Sequence, residues 1–378
     1  MKRSLLKLLH LADLHLDSRF AAVSQNESAK RRAELRNVFK NALELAKNEG
    51  CSVVLISGDL FDCEYYTKDT LDFLRGAFAS MPDIRFFISP GNHDPYNSSS
   101  PYRLGVFTDN VTVFDSESVT GVTLDGLDLT VYGYAFTSAV YTKDPLSGFS
   151  LDGKTRYNVL CAHTELDALA SPYAPISSVR LSEIGFDYAA LGHIHTSAEI
   201  RRLKNTVYAY SGCIAGRDHS EYGEKGGIIV TFDENGTKAE RVRLCPWVYC
   251  SESADVSGAK SEEAILEMLK AALSKKSGDI EYIVRLRLTG SIEIDLDTVS
   301  LTKALAPFGV SEIRNDTVGL CGMEALEKDY SLKGEFFKLL KDGLVSEDAE
   351  KRRITRLALK YGLAALDGAE LDVQGEGE

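Results

Sequence analysis

Short apolar stretches alternate with amphipathic ones along the first 250 residues, and this alternation is typical of an α/β fold. The apolar stretches are as long as strands, and each is followed by glycine or by polar residues. They contain few charged residues, so we expect strands that are buried on both faces. The strands predicted in this way are Leu5–Ala12, Ser52–Ser57, Ile84–Ser89, Tyr157–Ala162 and Asp187–Leu191.

The stretches between the early strands predict helices. Ala29–Asn48 places its apolar residues on one helical stripe, and Thr67–Ala79 repeats this stripe. Residues 205–245 contain closely spaced strand patterns instead, with a hairpin turn at Asn235-Gly236. This region predicts a second, more antiparallel sheet.

The pattern changes near residue 250, where small polar residues replace the strand pattern. We therefore predict one large domain over residues 1–250 and a small α+β domain over residues 251–325. A helical tail follows over residues 326–366. Residues 367–378 hold five acidic groups and no basic one, and we expect this acidic tail to be disordered.

The helical tail is predicted to form two helices, capped at Ser331 and Ser346. Its second helix carries an apolar stripe, which must be covered either by its own domain or by a partner protein. The stripe consists of Ile354, Leu357, Ala358 and Tyr361.

The composition is that of an ordinary globular protein, with 44% hydrophobic and 26% charged residues among 378. No apolar run approaches the roughly 18 residues that a membrane-spanning helix needs. Lys7 interrupts the basic and apolar start of the chain, so we expect the first strand of a cytoplasmic protein and not a secretory signal. The seven cysteines include no C-x-x-C pair, which argues against a disulfide framework or a thiolate zinc site.

The formal net charge of −13 argues against a protein that binds nucleic acid through bulk electrostatics. Five of the negative charges belong to the predicted acidic tail, however, and carboxylates that bind metal would be neutralised. The charge alone therefore does not exclude DNA as a partner.

Every predicted buried strand ends beside a side chain that can bind a metal ion, and five of the seven histidines occupy such positions. Strands in an α/β sheet present their ligand sites at their carboxyl ends, so these side chains can converge on one cleft. In the order of the five strands they are Asp13 and His15, Asp59, Asn92 and His93, His163, and His193 and His195.

The spacing of these residues favours a site for two metal ions. Asp13 and His15 are two apart on an extended chain, so they point the same way and can bind one ion together. Mixed imidazole and carboxylate ligands favour Mn, Fe, Zn or Co over Ca or Mg. A carboxylate such as Asp59 can bridge two ions. Two ions about 3.5–4 Å apart suit in-line displacement at phosphorus, because one can activate a water molecule and both neutralise the developing charge.

His93 and three further residues complete the candidate site. His93 remains as a proton donor for the leaving oxygen, and Asp94 is placed to orient it. Arg217 and His219 lie in a glycine-rich connection, where they could contact a nucleic-acid phosphate or could simply be solvated.

The order of these motifs resembles the calcineurin-like metallophosphoesterase superfamily. The motifs are D-x-H ending at His15, G-D-x-x-D beginning at Gly58, G-N-H-D beginning at Gly91, A-H-T around His163 and G-H-x-H ending at His195. Their wider context, together with residues 210–226, resembles the DNA repair exonuclease branch of SbcD-like and YhaO-like proteins. The resemblance covers roughly residues 5–245.

The resemblance implies a four-layer α/β/β/α sandwich, to which we expect the small α+β domain to be attached as a cap. It also implies two Mn²⁺ ions, hydrolysis of DNA phosphodiesters and a large coiled-coil ATPase as partner. A homodimer is compatible with it. By position, one metal would be held by Asp13, His15, Asp59 and His195, and the other by Asp59, Asn92, His163 and His193.

The sequence departs from the family pattern at two positions. Ala12 stands where the family often has serine, and Asp17 where the nuclease subunits commonly have glycine. The loop after the first strand can therefore differ, and with it the approach of the substrate.

Two other functions remain open. The same metal site could serve a phosphoesterase of nucleotides, cyclic nucleotides or phosphoproteins, although Gly58–Asp62 lacks the V-D-R-G motif of the phosphoprotein phosphatases. A structural adaptor with a vestigial site is disfavoured, because every expected ligand is present.

Overall fold

The structure is a computed structural model that describes residues 5–20, 25–62, 66–104, 107–168, 170–274, 280–292, 294–319, 323–366 and 368. The chain divides into two compact units, Met1–Tyr249 and Cys250–Glu378. The predicted acidic tail, residues 367–378, lies outside the described residues except for Gly368. Within the described residues, no helix is both long enough and apolar enough to cross a membrane.

The first unit contains two mixed sheets and the helices that connect their strands. Its strands are β1 (Leu6–Leu11), β2 (Val53–Ile56), β3 (Arg85–Ile88), β4 (Val111–Val113), β5 (Thr120–Leu124), β6 (Leu129–Gly133), β7 (Tyr157–His163), β8 (Tyr188–Gly192), β9 (Arg201–Leu203), β10 (Thr206–Tyr210), β11 (Gly226–Asp233) and β12 (Gly236–Arg243). Its helices are α1 (Gln25–Asn48), α2 (Lys68–Ala79) and α3 (Ser178–Ile184). One sheet has the order β12-β11-β1-β2-β3-β4, and the other has the order β5-β6-β7-β8-β10-β9.

The two sheets pack face to face, and helices cover their outer faces. Alternate residues along each strand point to opposite faces. Leu8 of β1 and Val159 of β7 accordingly belong to one buried cluster between the sheets. On the outer face of the first sheet, Phe78 of α2 contacts the ring of Phe86. On the outer face of the second sheet, Leu181 of α3 belongs to another buried cluster. The predicted α/β/β/α sandwich is therefore confirmed.

The prediction that residues 205–245 form a second, more antiparallel sheet was wrong, because the strands of this region are divided between the two sheets. β10 pairs in parallel with β8 in the second sheet, whereas β11 pairs antiparallel with β1 in the first. Strand spacing reveals a hairpin but not the sheet that the hairpin joins. The turn between β11 and β12 is also shifted by one residue, since Gly236 pairs with Asp233 across Glu234 and Asn235.

A polar pair is buried between the two sheets. The Nδ1 atom of His10 in β1 lies 2.9 Å from the hydroxyl oxygen of Tyr188 in β8, and both side chains are fully buried. Burial, and secondarily the positive charge of Arg241, lowers the pKa of His10 to about 3. The imidazole is therefore neutral in the folded protein at physiological pH.

This pair predicts a loss of stability in acid. His10 becomes protonated below pH 6.5 in the unfolded chain, but only below about pH 3 in the folded protein. The free energy of unfolding therefore falls as the pH drops through that range. At pH 5 the cost is about 2 kcal/mol. The double variant His10→Phe with Tyr188→Phe should not suffer this loss. Its free energy of unfolding should therefore fall by about 2 kcal/mol less than that of wild type between pH 7.5 and pH 5. Urea denaturation of both metal-free proteins measures it, and equal acid sensitivity of the two would contradict it.

The second unit contains a small α+β arrangement followed by helices. β13 (Trp247–Asp255) leads into it and forms a sheet with β14 (Glu281–Thr289) and β16 (Val310–Asn315) in the order β13-β14-β16. β15 (Ser291–Ile292) pairs with β17 (Val318–Gly319). The helices are α4 (Glu262–Leu273), α5 (Thr298–Leu305), α6 (Met323–Lys328), α7 (Leu332–Leu344) and α8 (Ala349–Leu366).

The last two helices pack against each other as a hairpin. Ser331 caps α7 as predicted, because its hydroxyl accepts from the Gly334 amide. The predicted cap at Ser346 was wrong, since Asp348 accepts the amides of the first turn of α8. Thr355 faces Gly343 of α7 and is buried, whereas Ile354 of the predicted stripe is 54% exposed.

Candidate metal centre

The carboxyl ends of the parallel strands of both sheets meet at one edge of the sandwich. β1, β2 and β3 run parallel to one another, and so do β7 and β8. The segments that follow these strands therefore share this edge. One ligand atom from each of four side chains lies within 4.8 Å of the others. The four residues are Asp13, His15, Asp59 and His195.

The backbone that carries these side chains adopts an uncommon conformation. Asp13, His15 and Asp59 have φ values of 52°, 46° and 51°. Residues other than glycine rarely occupy this left-handed region. The Asp13 amide donates to the carbonyl of Gly58, and the His15 amide donates to the carbonyl of Asp59. These bonds hold the ends of β1 and β2 together despite the strain, a combination that is concentrated at functional sites.

Two glycines allow the close approach of the strand ends. A Cβ atom at Gly58 would lie 2.1 Å from Nδ1 of His163, and the φ of Gly58 is +91°. A Cβ atom at Gly91 would lie 2.2 Å from Oδ1 of Asp59. The glycines of the G-D and G-N-H-D motifs therefore make room for His163 and Asp59, which come from neighbouring strand ends.

The Nε2 atoms of His15 and His195 face each other across the site. Nδ1 of His15 lies 3.1 Å from a carboxylate oxygen of Asp62, and Nδ1 of His195 lies 2.8 Å from one of Glu221. A carboxylate only accepts, so the His195 ring carries its proton on Nδ1, whereas Nδ1 of His15 forms no hydrogen bond of good geometry. The Nε2 atom of His195 is therefore an acceptor, and it lies 3.1 Å from Nε2 of His15. The two Nε2 atoms are placed to bind one cation together.

A second group repeats the pattern. Nδ1 of His163 donates to the carbonyl of Ser57 at 3.0 Å, which leaves Nε2 as an acceptor. That Nε2 atom faces the amide oxygen of Asn92 at 2.9 Å and Oδ2 of Asp59 at 3.5 Å. The ring of His193 lies beside that of His163, with centroids 5.2 Å apart. The same Oδ2 atom of Asp59 lies 3.8 Å from Nε2 of His15, so Asp59 belongs to both groups.

The electrostatics of the site agree with this accounting. Burial and the neighbouring Asp59 carboxylate raise the pKa of Asp13 well above its ordinary value. Burial also lowers the pKa of His15 to about 4 and that of His163 to about 3. Buried carboxylates beside neutral imidazoles lack a compensating positive charge, and a divalent cation would supply it. The donor set of imidazole and carboxylate therefore fits transition-metal ions.

His93 lies next to these groups but is held differently. Its Nδ1 atom donates to the carbonyl oxygen of Asp62 at 2.8 Å, and its ring packs edge-on against that of His15. The prediction that Asp94 orients His93 was wrong. The carboxylate of Asp94 accepts from the amides of Phe61 and Gly91 and from the hydroxyl of Tyr102, and so it holds the loop that carries His93.

Arg217 is engaged within the protein. It donates to a carboxylate oxygen of Asp62 at 2.9 Å and to Glu221 at 2.6 Å, and its side chain is 17% exposed. His219 packs against the rings of Tyr222 and Tyr249. A contact of either residue with a phosphate stays a prediction from the sequence.

Sequence reasoning missed two residues of the site, Asp62 and Glu221. Asp62 closes the G-D-x-x-D motif, whose spacing was the available signal. Burial opposes ionisation of Glu221, but hydrogen bonds from His195 and Arg217 prevail and hold its pKa well below the ordinary value. Glu221 lies two residues after His219 in the glycine-rich connection, but no local pattern predicts its contact with His195.

The fold and the paired donor groups define a metal-dependent phosphoester hydrolase. Residues 6–197 match the family described as calcineurin-like phosphoesterase, and the chain belongs to this family.

Curated relatives are similar to most of the chain at low identity. The "Uncharacterized metallophosphoesterase YhaO" of Bacillus subtilis is 25% identical over 299 residues, which cover 76% of this chain and 72% of that protein. The "DNA double-strand break repair protein Mre11" of Saccharolobus solfataricus is 26% identical, covering 55% of this chain and 54% of that protein. The protein of the same name from Thermoplasma acidophilum is 22% identical, covering 82% and 84% respectively.

Proposed function

We propose that the protein is a metal-dependent phosphodiesterase that cleaves DNA and acts as a DNA repair nuclease. The observation that carries this proposal is the pair of donor groups that share the Asp59 carboxylate. Support for DNA as the substrate comes from relatives that are named for DNA double-strand break repair.

The donor groups would hold two divalent cations. When bound, such cations activate a water molecule for attack on phosphorus and neutralise the charge that develops on the phosphate. We propose Mn²⁺ for both positions, because the resemblance to the DNA repair exonuclease branch implies it and the mixed imidazole and carboxylate donors are compatible with it. One position would use Asp13, His15, Asp59 and His195, and the other would use Asp59, Asn92, His163 and His193.

His93 would deliver a proton to the leaving oxygen. The carbonyl of Asp62 can only accept, so Nδ1 of His93 keeps its proton and Nε2 is the nitrogen that can give one up. The side chain is exposed, which lets a leaving group approach it. The orienting group is therefore the backbone of Asp62.

We further propose that the unit Cys250–Glu378 acts as a cap that positions a DNA end. Among its described residues, no group of His, Cys, Asp and Glu side chains converges as a candidate metal site, which supports a role in binding and not in chemistry. The first unit has its own buried clusters, so a chain that ends after Tyr249 is a reasonable test object.

The test compares two proteins on two substrates. With Mn²⁺, the full-length protein should cleave both linear duplex DNA and bis-p-nitrophenyl phosphate, and a chelator should abolish both activities. The chain that ends after Tyr249 should retain activity on the small ester and lose activity on DNA. Its activity on the ester shows that it is folded.

The alternative is a phosphoesterase of nucleotides or other small phosphoesters. The family match supports it equally, since residues 6–197 match a phosphoesterase family whose description names no substrate. A full-length protein that cleaves the small ester but never DNA, even with a partner supplied, would establish this alternative and refute the DNA proposal.

The helices α7 and α8 are proposed to dock on a large coiled-coil ATPase. Exposed apolar side chains on this hairpin support the proposal, namely Leu332, Leu339, Val345 and Ile354. Co-purification with such an ATPase from the same genome is the direct test. A homodimer and a cytoplasmic location remain proposals from the sequence.

A further inference from the structure

His195 is held from three sides by a segment that follows β10. Oε1 of Glu221 lies 2.8 Å from Nδ1 of His195. The Nζ atom of Lys225 donates to the His195 carbonyl at 2.9 Å, and the Cys213 amide donates to the same oxygen at 3.1 Å. The segment 211–225 thus fixes both the ring and the backbone of His195, and it lies beyond the residues that match the family.

The two charged side chains of this segment that contact His195, Glu221 and Lys225, are buried. Glu221 is 3% exposed and Lys225 is 2% exposed. A buried charge is costly unless it is paired, and these two are paired with specific atoms of one residue. Such an arrangement gives His195 a defined orientation that a solvated loop would not give.

Arg217 holds the Glu221 carboxylate in place through hydrogen bonds. Its amide donates to Oε2 of Glu221 at 2.7 Å, and its guanidinium donates to Oε1 at 2.6 Å. The guanidinium also lies 3.2 Å from Nδ1 of His195, but a nitrogen that donates to a carboxylate has no lone pair for it. Arg217 therefore acts on the carboxylate and not on the ring.

We propose that Glu221 is a positioning residue that keeps the proton of His195 on Nδ1 and so directs the Nε2 lone pair toward one of the two cations. Removal of the carboxylate would let the proton move to Nε2, which then could no longer accept a metal ion. The inference rests on the proposed metal centre but not on the proposed substrate.

The effect should be confined to one cation. His195 belongs to the group with Asp13 and His15, whereas His163 in the other group is held by the carbonyl of Ser57. A loss of Glu221 should therefore weaken the first position and spare the second. A merely structural ion pair would instead lower the stability of the metal-free protein and affect both positions alike.

The experiment uses the full-length chain, metal-free, with Mn²⁺ alone as the probe. Calorimetric titration of the Glu221→Leu variant should show one of two sites weakened by about 10–100-fold, the usual effect of losing such a partner. The Glu221→Gln variant keeps an acceptor oxygen and should fall between Glu221→Leu and wild type. Glu224 is exposed in the same segment, so Glu224→Leu and Glu224→Gln serve as matched controls.

A second readout follows the proton directly. ¹⁵N NMR of the histidine ring nitrogens in the metal-free protein should show Nδ1–H for His195 in wild type and a loss of this tautomer in Glu221→Leu. If Glu221→Leu fails to fold, Glu221→Gln decides the question by the same measurements. Affinities and tautomers equal to those of the Glu224 controls would overturn the inference. Two-site binding without DNA cleavage would refute only the proposed substrate.

Discussion

Replacement of Asp59 with asparagine is expected to remove both divalent cations from the protein. Oδ2 of Asp59 lies 3.8 Å from Nε2 of His15 and 3.5 Å from Nε2 of His163, so one carboxylate serves both donor groups. An amide lacks the negative charge that offsets the two cations. Without them nothing lowers the pKa of the attacking water molecule, and turnover should fall by more than about 10³-fold.

Elemental analysis after gel filtration measures the metal content of the Asp59→Asn variant. The wild type should carry close to two ions and the variant close to none. Asp83 is exposed in a turn before β3, so Asp83→Asn is a matched control that should keep both ions. Two ions retained in Asp59→Asn would contradict the shared-carboxylate arrangement. Loss of one ion only would show that Asp59 serves a single position.

The strand ends were predictable because two local signals coincide there. A buried strand is an uninterrupted apolar stretch, and a polar side chain at its end stands out in the sequence. The structure accordingly brings Asp13, His15, Asp59 and His195 together, although 182 positions separate the first from the last.

The contacts that orient these side chains were not predictable in the same way. Glu221 contacts His195, which lies 26 positions earlier in the chain, from an irregular segment. No local sequence pattern predicts that contact. Asp94 was assigned to His93 because the two are neighbours in the chain, yet its carboxylate points to Tyr102. Chain proximity is a poor guide to side-chain contacts in loops, where successive residues turn in different directions.

Asp17 shows how a departure from the family pattern is accommodated. Its φ of 66° lies in the left-handed region, where glycine is favoured and aspartate is among the better tolerated alternatives. Its carboxylate accepts from the amide of Thr67, the hydroxyl of Thr70 and the guanidinium of Arg36. The loop after β1 is therefore tied to the start of α2, and the position that glycine would leave open is closed by hydrogen bonds.

Replacement of His93 with glutamine is expected to leave both cations bound and to lower DNA cleavage by about 10²–10⁴-fold, the usual contribution of a positioned acid. His93 donates from Nδ1 to the carbonyl of Asp62, and only Nε2 can pass a proton to the leaving oxygen. Glutamine can still form hydrogen bonds, but its amide cannot serve as a proton donor of useful acidity. Elemental analysis and DNA turnover in the same preparation measure the two effects.

The leaving group provides the control for this assignment. The alkoxide that departs from DNA needs a proton, whereas nitrophenolate leaves readily without one. The His93→Gln variant should therefore lose much more activity on DNA than on bis-p-nitrophenyl phosphate, because the second reaction does not depend on the acid. An equal loss on both substrates would show that His93 acts on the phosphate or the nucleophile. A loss of metal from His93→Gln comparable to that from Asp59→Asn would make His93 a ligand instead of an acid.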